Sequence, residues 1–243
     1  SEYLSTFERY EKKYIVTETQ KERFLALVGD KLVPDEFGES TLCNLYFDTP
    51  DYRLIRASIE RPVFKEKLRL RSYGVPTTDS NVFVELKKKY KGVVYKRRIN
   101  MTYGEAVDFL CRRKMPENKT QVCGEVAYFM GHYRGLRPSV SIFCDRTAFF
   151  ARDDRDVRVT FDRNVRFRSQ MLDLSTGDGG YPILEDGLSV LEVKSLGAIP
   201  LWITAALNEL EIYPRSYSKY GKAYEELKSW SEKMNSVLNG SKS

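Results

Sequence analysis

Histidine is almost missing from this chain: His132 is the single one in 243 residues. A histidine-based triad or a multi-histidine metal centre would have to be built around one residue on what reads as a helix, so both are set aside. Cys43, Cys111, Cys123 and Cys144 are scattered without a Cys-x-x-Cys pair, which fits buried reduced thiols better than a zinc site or a disulfide frame. No run approaches eighteen apolar residues, and the opening Ser1-Glu2-Tyr3-Leu4-Ser5 carries neither a basic nor an apolar leader segment. The sequence therefore predicts no membrane span, no secretion signal and a cytoplasmic protein. Blocks of five or six like charges are missing too, which argues against a nucleic-acid tail. The 40 Lys+Arg against 34 Asp+Glu leave a moderate excess of +6, favouring anionic partners and requiring the charge to be read by position.

What is present is alternation. Phe64-Lys65-Glu66-Lys67-Leu68-Arg69-Leu70-Arg71 alternates with a period of two, placing Lys67, Arg69 and Arg71 on one face and Phe64, Leu68 and Leu70 on the other. Followed by the turn formers Gly74-Val75-Pro76, this predicts a strand with one buried and one cationic side, and the repulsion among its cations points to a polyanion. Arg9 to Val16 repeats the pattern, with Arg9, Glu11 and Lys13 on one face. Thr17 to Gln20 reads as a cap before a helix over 21–32. A strand is predicted over 42–47, then the turn Asp48-Thr49-Pro50-Asp51 and a short helix ending near Ala57. In Val82 to Lys89 the residues Glu85, Lys87 and Lys89 share a face, although Phe83 breaks the simple alternation. A turn at Tyr90-Lys91-Gly92 returns the chain into Val93 to Ile99, with Lys96 and Arg98 on one face.

Helices are predicted over 103–110, capped by Thr102, and over 122–136. Strands follow over 139–150, carrying Arg146, and 157–167, with Arg158, Thr160 and Asp162 on one face. Ser175 to Gly180 reads as a hairpin loop. The last strand, Val190 to Lys194, puts Glu192 and Lys194 together, and helices run from Pro200 and over 216–234.

The shared faces gather eleven bases, Arg9, Lys13, Lys67, Arg69, Arg71, Lys87, Lys96, Arg98, Arg146, Arg158 and Lys194, against four acids, Glu11, Glu85, Asp162 and Glu192. Their net charge of +7 exceeds that of the whole chain. Nearly eight antiparallel strands of this kind predict an α+β, mainly β fold: a closed barrel covered by helices, apolar outward and charged inward, with a C-terminal helix, as one domain over 1–243. At an effective dielectric of about 20, two charges 4 Å apart interact by roughly 4 kcal/mol, so such an interior calls for a multivalent anion, water and ions. Linear polyphosphate or a nucleoside triphosphate meets that need. Acidic oxygens on the same faces suit Mg²⁺ or Mn²⁺.

Six motifs in order carry a resemblance: Arg-x-Glu-x-Lys-Tyr at 9–14, Tyr-Phe-Asp-Thr at 46–49, Lys-Leu-Arg-Leu-Arg-Ser-Tyr-Gly at 67–74, Val-Glu-Leu-Lys at 84–87, Leu-Glu-Val-Lys at 191–194 and Ser-Lys-Tyr at 218–220. Together they resemble the catalytic domain of the VTC (vacuolar transporter chaperone) family, within the triphosphate tunnel metalloenzymes. The resemblance implies an eight-stranded antiparallel tunnel and transfer of the γ-phosphate of ATP to a growing polyphosphate chain. It implies phosphate-gripping roles for Arg69, Arg71, Lys87, Arg146, Arg158 and Lys219, with Arg9, Lys13, Lys67, Lys96, Arg98, Lys194 and Ser218 as further substrate contacts. Glu192 would bind the metal, with Glu11, Glu85 and Asp162 as secondary candidates. The hydrolase branch opens with Glu-x-Glu-x-Lys, whereas Arg9 stands in the first glutamate's place here, which disfavours a two-metal hydrolase. The SPX domain and membrane segments of eukaryotic VTC proteins have no counterpart in these residues, so direct membrane insertion is not expected and membrane-protein partners are left open.

Rival readings are a hydrolase of inorganic or organic triphosphates with the same fold, an adenylate cyclase, and a non-catalytic polyphosphate- or RNA-binding module. Single-strand binders interleave aromatics with their bases, whereas Tyr10, Tyr14 and Phe64 fall opposite or beside the cationic faces, so no nucleic-acid partner is expected.

Overall fold

The computed structural model describes residues 9–60, 63–91 and 93–240. In chain order its elements are β1 (Arg9–Thr17), α1 (Glu18–Val28), β2 (Leu32–Asp48), α2 (Arg53–Glu60), β3 (Phe64–Tyr73), β4 (Asn81–Tyr90), β5 (Val93–Thr102), α3 (Tyr103–Arg112), α4 (Gln121–His132), β6 (Arg137–Ala151), β7 (Arg158–Arg168), β8 (Tyr181–Pro182), β9 (Leu188–Leu196), α5 (Leu201–Glu209) and α6 (Lys219–Gly240). They form two compact units, one of Ser1–Thr41, Cys144–Val165 and Leu184–Tyr217, the other of Leu42–Phe143, Arg166–Ile183 and Ser218–Ser243.

In the first unit β1 pairs antiparallel with β9, from Arg9 opposite Leu196 to Thr17 opposite Leu188, and β9 pairs with β7. The period of two turns Tyr14, Val16, Leu191, Val193, Val159 and Phe161 to one side, where Phe24 and Val28 of α1 and Ile203 and Leu207 of α5 cover them. Each such side chain contributes about 1.5–3 kcal/mol on burial. The start of α1 is fixed by a capping box: Gln20 N donates to Thr17 Oγ1 at 3.1 Å, and Thr17 N donates to Gln20 Oε1 at 3.0 Å. The helix expected over 21–32 stops at Val28, because Gly29 takes a positive φ of 55° and Leu32 already opens β2.

In the second unit β2, β3, β4 and β5 pair antiparallel in sequence order. Leu45, Phe47, Leu68, Leu70, Val84 and Leu86 are buried under α3 and α4 through Phe109, Val126 and Phe129. A second capping box, Thr102 with Glu105, starts α3. The helix predicted to reach Leu136 ends at His132, where Tyr133 turns to extended backbone and donates its hydroxyl to the buried Glu66.

Strands β2, β6 and β7 contribute residues to both units. The hydrogen-bonded order is β1-β9-β7-β6-β2-β3-β4-β5, with the short β8 on β7. The mainly β, α+β expectation holds. The expected closed eight-stranded ring is corrected: among the described residues the pairing order ends on β1 and β5 and does not close into a ring. Both edge strands are rich in Lys and Arg, and edge charge is a common device against edge pairing. The strand expected over 42–47 proves to be seventeen residues long, from Leu32 to Asp48, its first half hidden by Pro34, Gly38 and interspersed acids.

Candidate functional site

The face of the second unit's sheet turned away from its apolar core is organised in cross-strand rows. Lys67 stands opposite Lys87, and Lys87 opposite Lys96; one step along, Arg69 stands opposite Glu85, and Glu85 opposite Arg98. Like charges directly opposed in a sheet repel, so the lysine row is favourable only around negative charge. Glu85 partly supplies it to the neighbouring row. Arg69 Nε donates to its Oε2 at 2.5 Å, while Arg98 Nε and Lys96 Nζ lie 3.0 and 3.5 Å from Oε1. Burial pushes the Glu85 carboxyl up, but Arg69, Arg71 and Lys96 outweigh it and bring it down to about 2. Arg71 Nε donates to Asn44 Oδ1 at 2.8 Å, and Asn44 Nδ2 to the Ile142 carbonyl at 3.2 Å, fixing that guanidinium. Phe83, which interrupted the sequence pattern, lies on this face under Arg98, whose guanidinium carbon is 4.0 Å from the ring centre.

The N-terminus of α6 belongs to the same constellation. Lys67 Nζ donates to Ser218 Oγ at 3.3 Å, and Gly221 N donates to the same oxygen at 3.1 Å, so Ser218 caps the helix that Lys219 opens. Tyr220 holds this end in place: its hydroxyl donates to Asp48 Oδ2 at 2.7 Å, and Asp48 also accepts from Leu54 N and Ile55 N at the start of α2.

Tyr46 opens the Tyr-Phe-Asp-Thr motif but is given no role from sequence. Its ring stacks on Tyr220 at 4.9 Å, and Arg69 Nη1 donates to its hydroxyl at 3.4 Å. Burial raises the phenol, but Arg69, Lys67 and Arg71 bring it down to about 8. Because the folded state then binds fewer protons than the unfolded chain between pH 8 and 10, stability gains with rising pH across that window. The gain is at most about 2.7 kcal/mol for two units. The melting-temperature gap between wild type and Tyr46→Phe is expected to change in favour of wild type as pH rises from about 7.5 to about 9.5. A gap that does not move with pH would refute the assignment.

In the first unit the polar face of β1, β9 and β7 sets Lys13 opposite Glu192, and Glu192 opposite Thr160; the next row is Glu11, Lys194 and Arg158. Arg9 pairs with Leu196 at the end of β1. Lys194 Nζ is 2.5 Å from Glu192, and Lys13 Nζ is 3.7 Å from Glu11 and donates to the Tyr217 carbonyl at 3.2 Å. Arg158 Nη2 donates to Asp35 Oδ2 at 2.9 Å, a partner hidden in the half of β2 that the sequence did not reveal. Arg146 grips Asp162 with two bonds, Nε to Oδ1 at 2.6 Å and Nη2 to Oδ2 at 2.7 Å.

Among the described residues no group of three His, Cys, Asp or Glu side chains gathers as a metal cage. A divalent cation of the Mg²⁺ type is nevertheless held by one or two carboxylates, with water and substrate phosphate oxygens completing the shell. Glu192, which lies on the cationic face with Glu11 one diagonal away on β1, fits that requirement. Glu85 and Asp162 fit it poorly, since guanidinium groups engage both of them closely.

A VTC domain profile matches residues 8–228. No curated protein matches the chain. Among solved structures, a candidate adenylate cyclase from Vibrio parahaemolyticus matches with TM-score 0.50 at 13% identity, covering 90% of this chain and 98% of its own. One from Bacillus halodurans matches with TM-score 0.51 at 14% identity over 87% and 95%. A candidate adenylyl cyclase from Hippeastrum with a dominant triphosphatase activity matches with TM-score 0.50 at 13% identity over 86% and 92%. At these identities the likeness establishes the fold, that of the triphosphate tunnel proteins. The profile spans nearly the whole sequence, and on that ground the chain belongs to the VTC domain family.

Proposed function

We propose that the protein is a metal-dependent polyphosphate polymerase that moves the γ-phosphate of ATP onto a polyphosphate chain. The observation that carries this reading is the pair of cross-strand rows, Lys67-Lys87-Lys96 beside Arg69-Glu85-Arg98, which offers five cations and one acid to a linear anion. Arg69 and Arg71, held by Glu85 and Asn44, present planar forks that suit phosphate oxygens; Lys67, Lys87 and Lys96 act as point charges. Ser218 and Lys219 add the positive end of α6. The first unit carries its own cations, Lys13 on β1, Lys194 on β9 and Arg158 on β7, with Arg9 on β1 and Arg146 on β6.

Glu192, assisted by Glu11, would hold Mg²⁺ or Mn²⁺, which when bound neutralises charge developing on the transferred group. The reaction breaks the bond between the γ-phosphorus and its bridging oxygen, ADP leaving with the electron pair, and forms a bond from a terminal polyphosphate oxygen to the same phosphorus. No proton has to move. Histidine and cysteine are therefore dispensable, and orientation by the basic face supplies much of the rate. Incubating the protein with ATP, Mn²⁺ and a short polyphosphate primer is expected to lengthen the primer. Free phosphate without chain growth would favour a triphosphatase, the activity for which water replaces the polyphosphate oxygen.

A further inference from the structure

We propose that Lys65 and Lys89 form an outer binding rung that engages polyphosphate chains longer than a triphosphate, an inference that rests on the polyphosphate reading above. The register sets Lys65 directly opposite Lys89, one step beyond the Lys67-Lys87-Lys96 row. Both lie on the cationic face, because the residues between the rungs turn the other way: Glu66 accepts the Tyr133 hydroxyl, and Lys88 lies 3.3 Å from Glu66 and over the Phe129 ring on the helix-covered side. On the β5 side Lys89 faces the uncharged Val94.

Rungs repeat every two residues, about 6.7 Å along a strand, so the six steps from Arg71 to Lys65 span roughly 20 Å. Along that length this face of the three strands carries Lys65, Lys67, Arg69, Arg71, Lys87, Lys89, Lys96 and Arg98, with Glu85 the one acid in the paired rows. A ligand held by the two inner rows leaves the outer one unused. A linear polyanion that continues past them meets it, and the two lysines, which repel each other across the strands, gain from negative charge laid between them.

The test compares affinities of the full chain for tripolyphosphate and for a long-chain polyphosphate by calorimetry at one salt concentration. The Lys65→Ala/Lys89→Ala variant is expected to weaken long-chain binding by about tenfold while leaving tripolyphosphate binding within about twofold, and Lys65→Arg/Lys89→Arg to retain both. Equal losses on the two ligands, or none on the long chain, would overturn the outer rung. The readout needs no turnover. Length-dependent binding lost in the alanine variant supports the rung even if the wild type only hydrolyses triphosphate, and a wild type that elongates chains yet shows no such loss rejects the rung and leaves the polymerase reading standing.

Discussion

Arg146→Ala is expected to lower stability by about 3–5 kcal/mol, because it leaves the Asp162 carboxylate buried and without its guanidinium. Asp162 is fully buried, and both of its oxygens accept from Arg146 within 2.7 Å. Burial works against the charged guanidinium, yet Asp162 outweighs it and holds the arginine's proton above the ordinary arginine range. Urea unfolding measures the loss. Replacing both partners with apolar residues of similar volume should recover most of it, since the penalty comes from a buried charge that has lost its guanidinium and not from the missing bond alone. A loss below about 1 kcal/mol for the single variant would mean that water screens the pair. The same variant also divides two roles for Arg146: loss of stability with tripolyphosphate affinity retained marks a structural arginine, and loss of both marks a phosphate ligand.

Glu192→Ala is expected to abolish metal-dependent turnover while leaving tripolyphosphate affinity in metal-free buffer unchanged or tighter. The carboxylate lies 2.5 Å from Lys194 Nζ and opposite Lys13. Its removal takes away a hard oxygen donor and at the same time a negative charge that competes with phosphate for those lysines. Turnover against Mn²⁺ and Mg²⁺, with calorimetry on the metal-free protein, separates the two consequences. Turnover that keeps its metal dependence would place the metal elsewhere, and weaker metal-free anion binding would show that Glu192 positions Lys194 instead of competing with its ligand.

Much of this molecule is legible in the chain because side-chain direction in a strand is a local property. Lys67, Arg69 and Arg71 had to part from Leu68 and Leu70 once the segment was extended, and the two buried leucines under α3 and α4 are the outcome. The same alternation already contained Lys65 and Lys89, on the parity of Lys67 and Lys87. Thr17-Gln20 and Thr102-Glu105 were likewise readable, since a capping box closes within four residues. Six ordered motifs gave the family, for the chemistry of each charged strand is written in consecutive residues. What only the tertiary structure decided is which charge meets which. Arg158 finds Asp35 at a separation of 123 residues, and Tyr220 finds Asp48 at 172. Tyr46 becomes more acidic only because pairing brings Arg69 opposite it, where the charges of Arg69, Lys67 and Arg71 outweigh the burial that raises the phenol. Whether the sheet closes also lies outside any local pattern. A period of two fixes which way a side chain turns, whereas register, pairing and burial arise from contacts between segments far apart in the chain, and those contacts decide which cations Glu85, Asp162 and Glu192 meet.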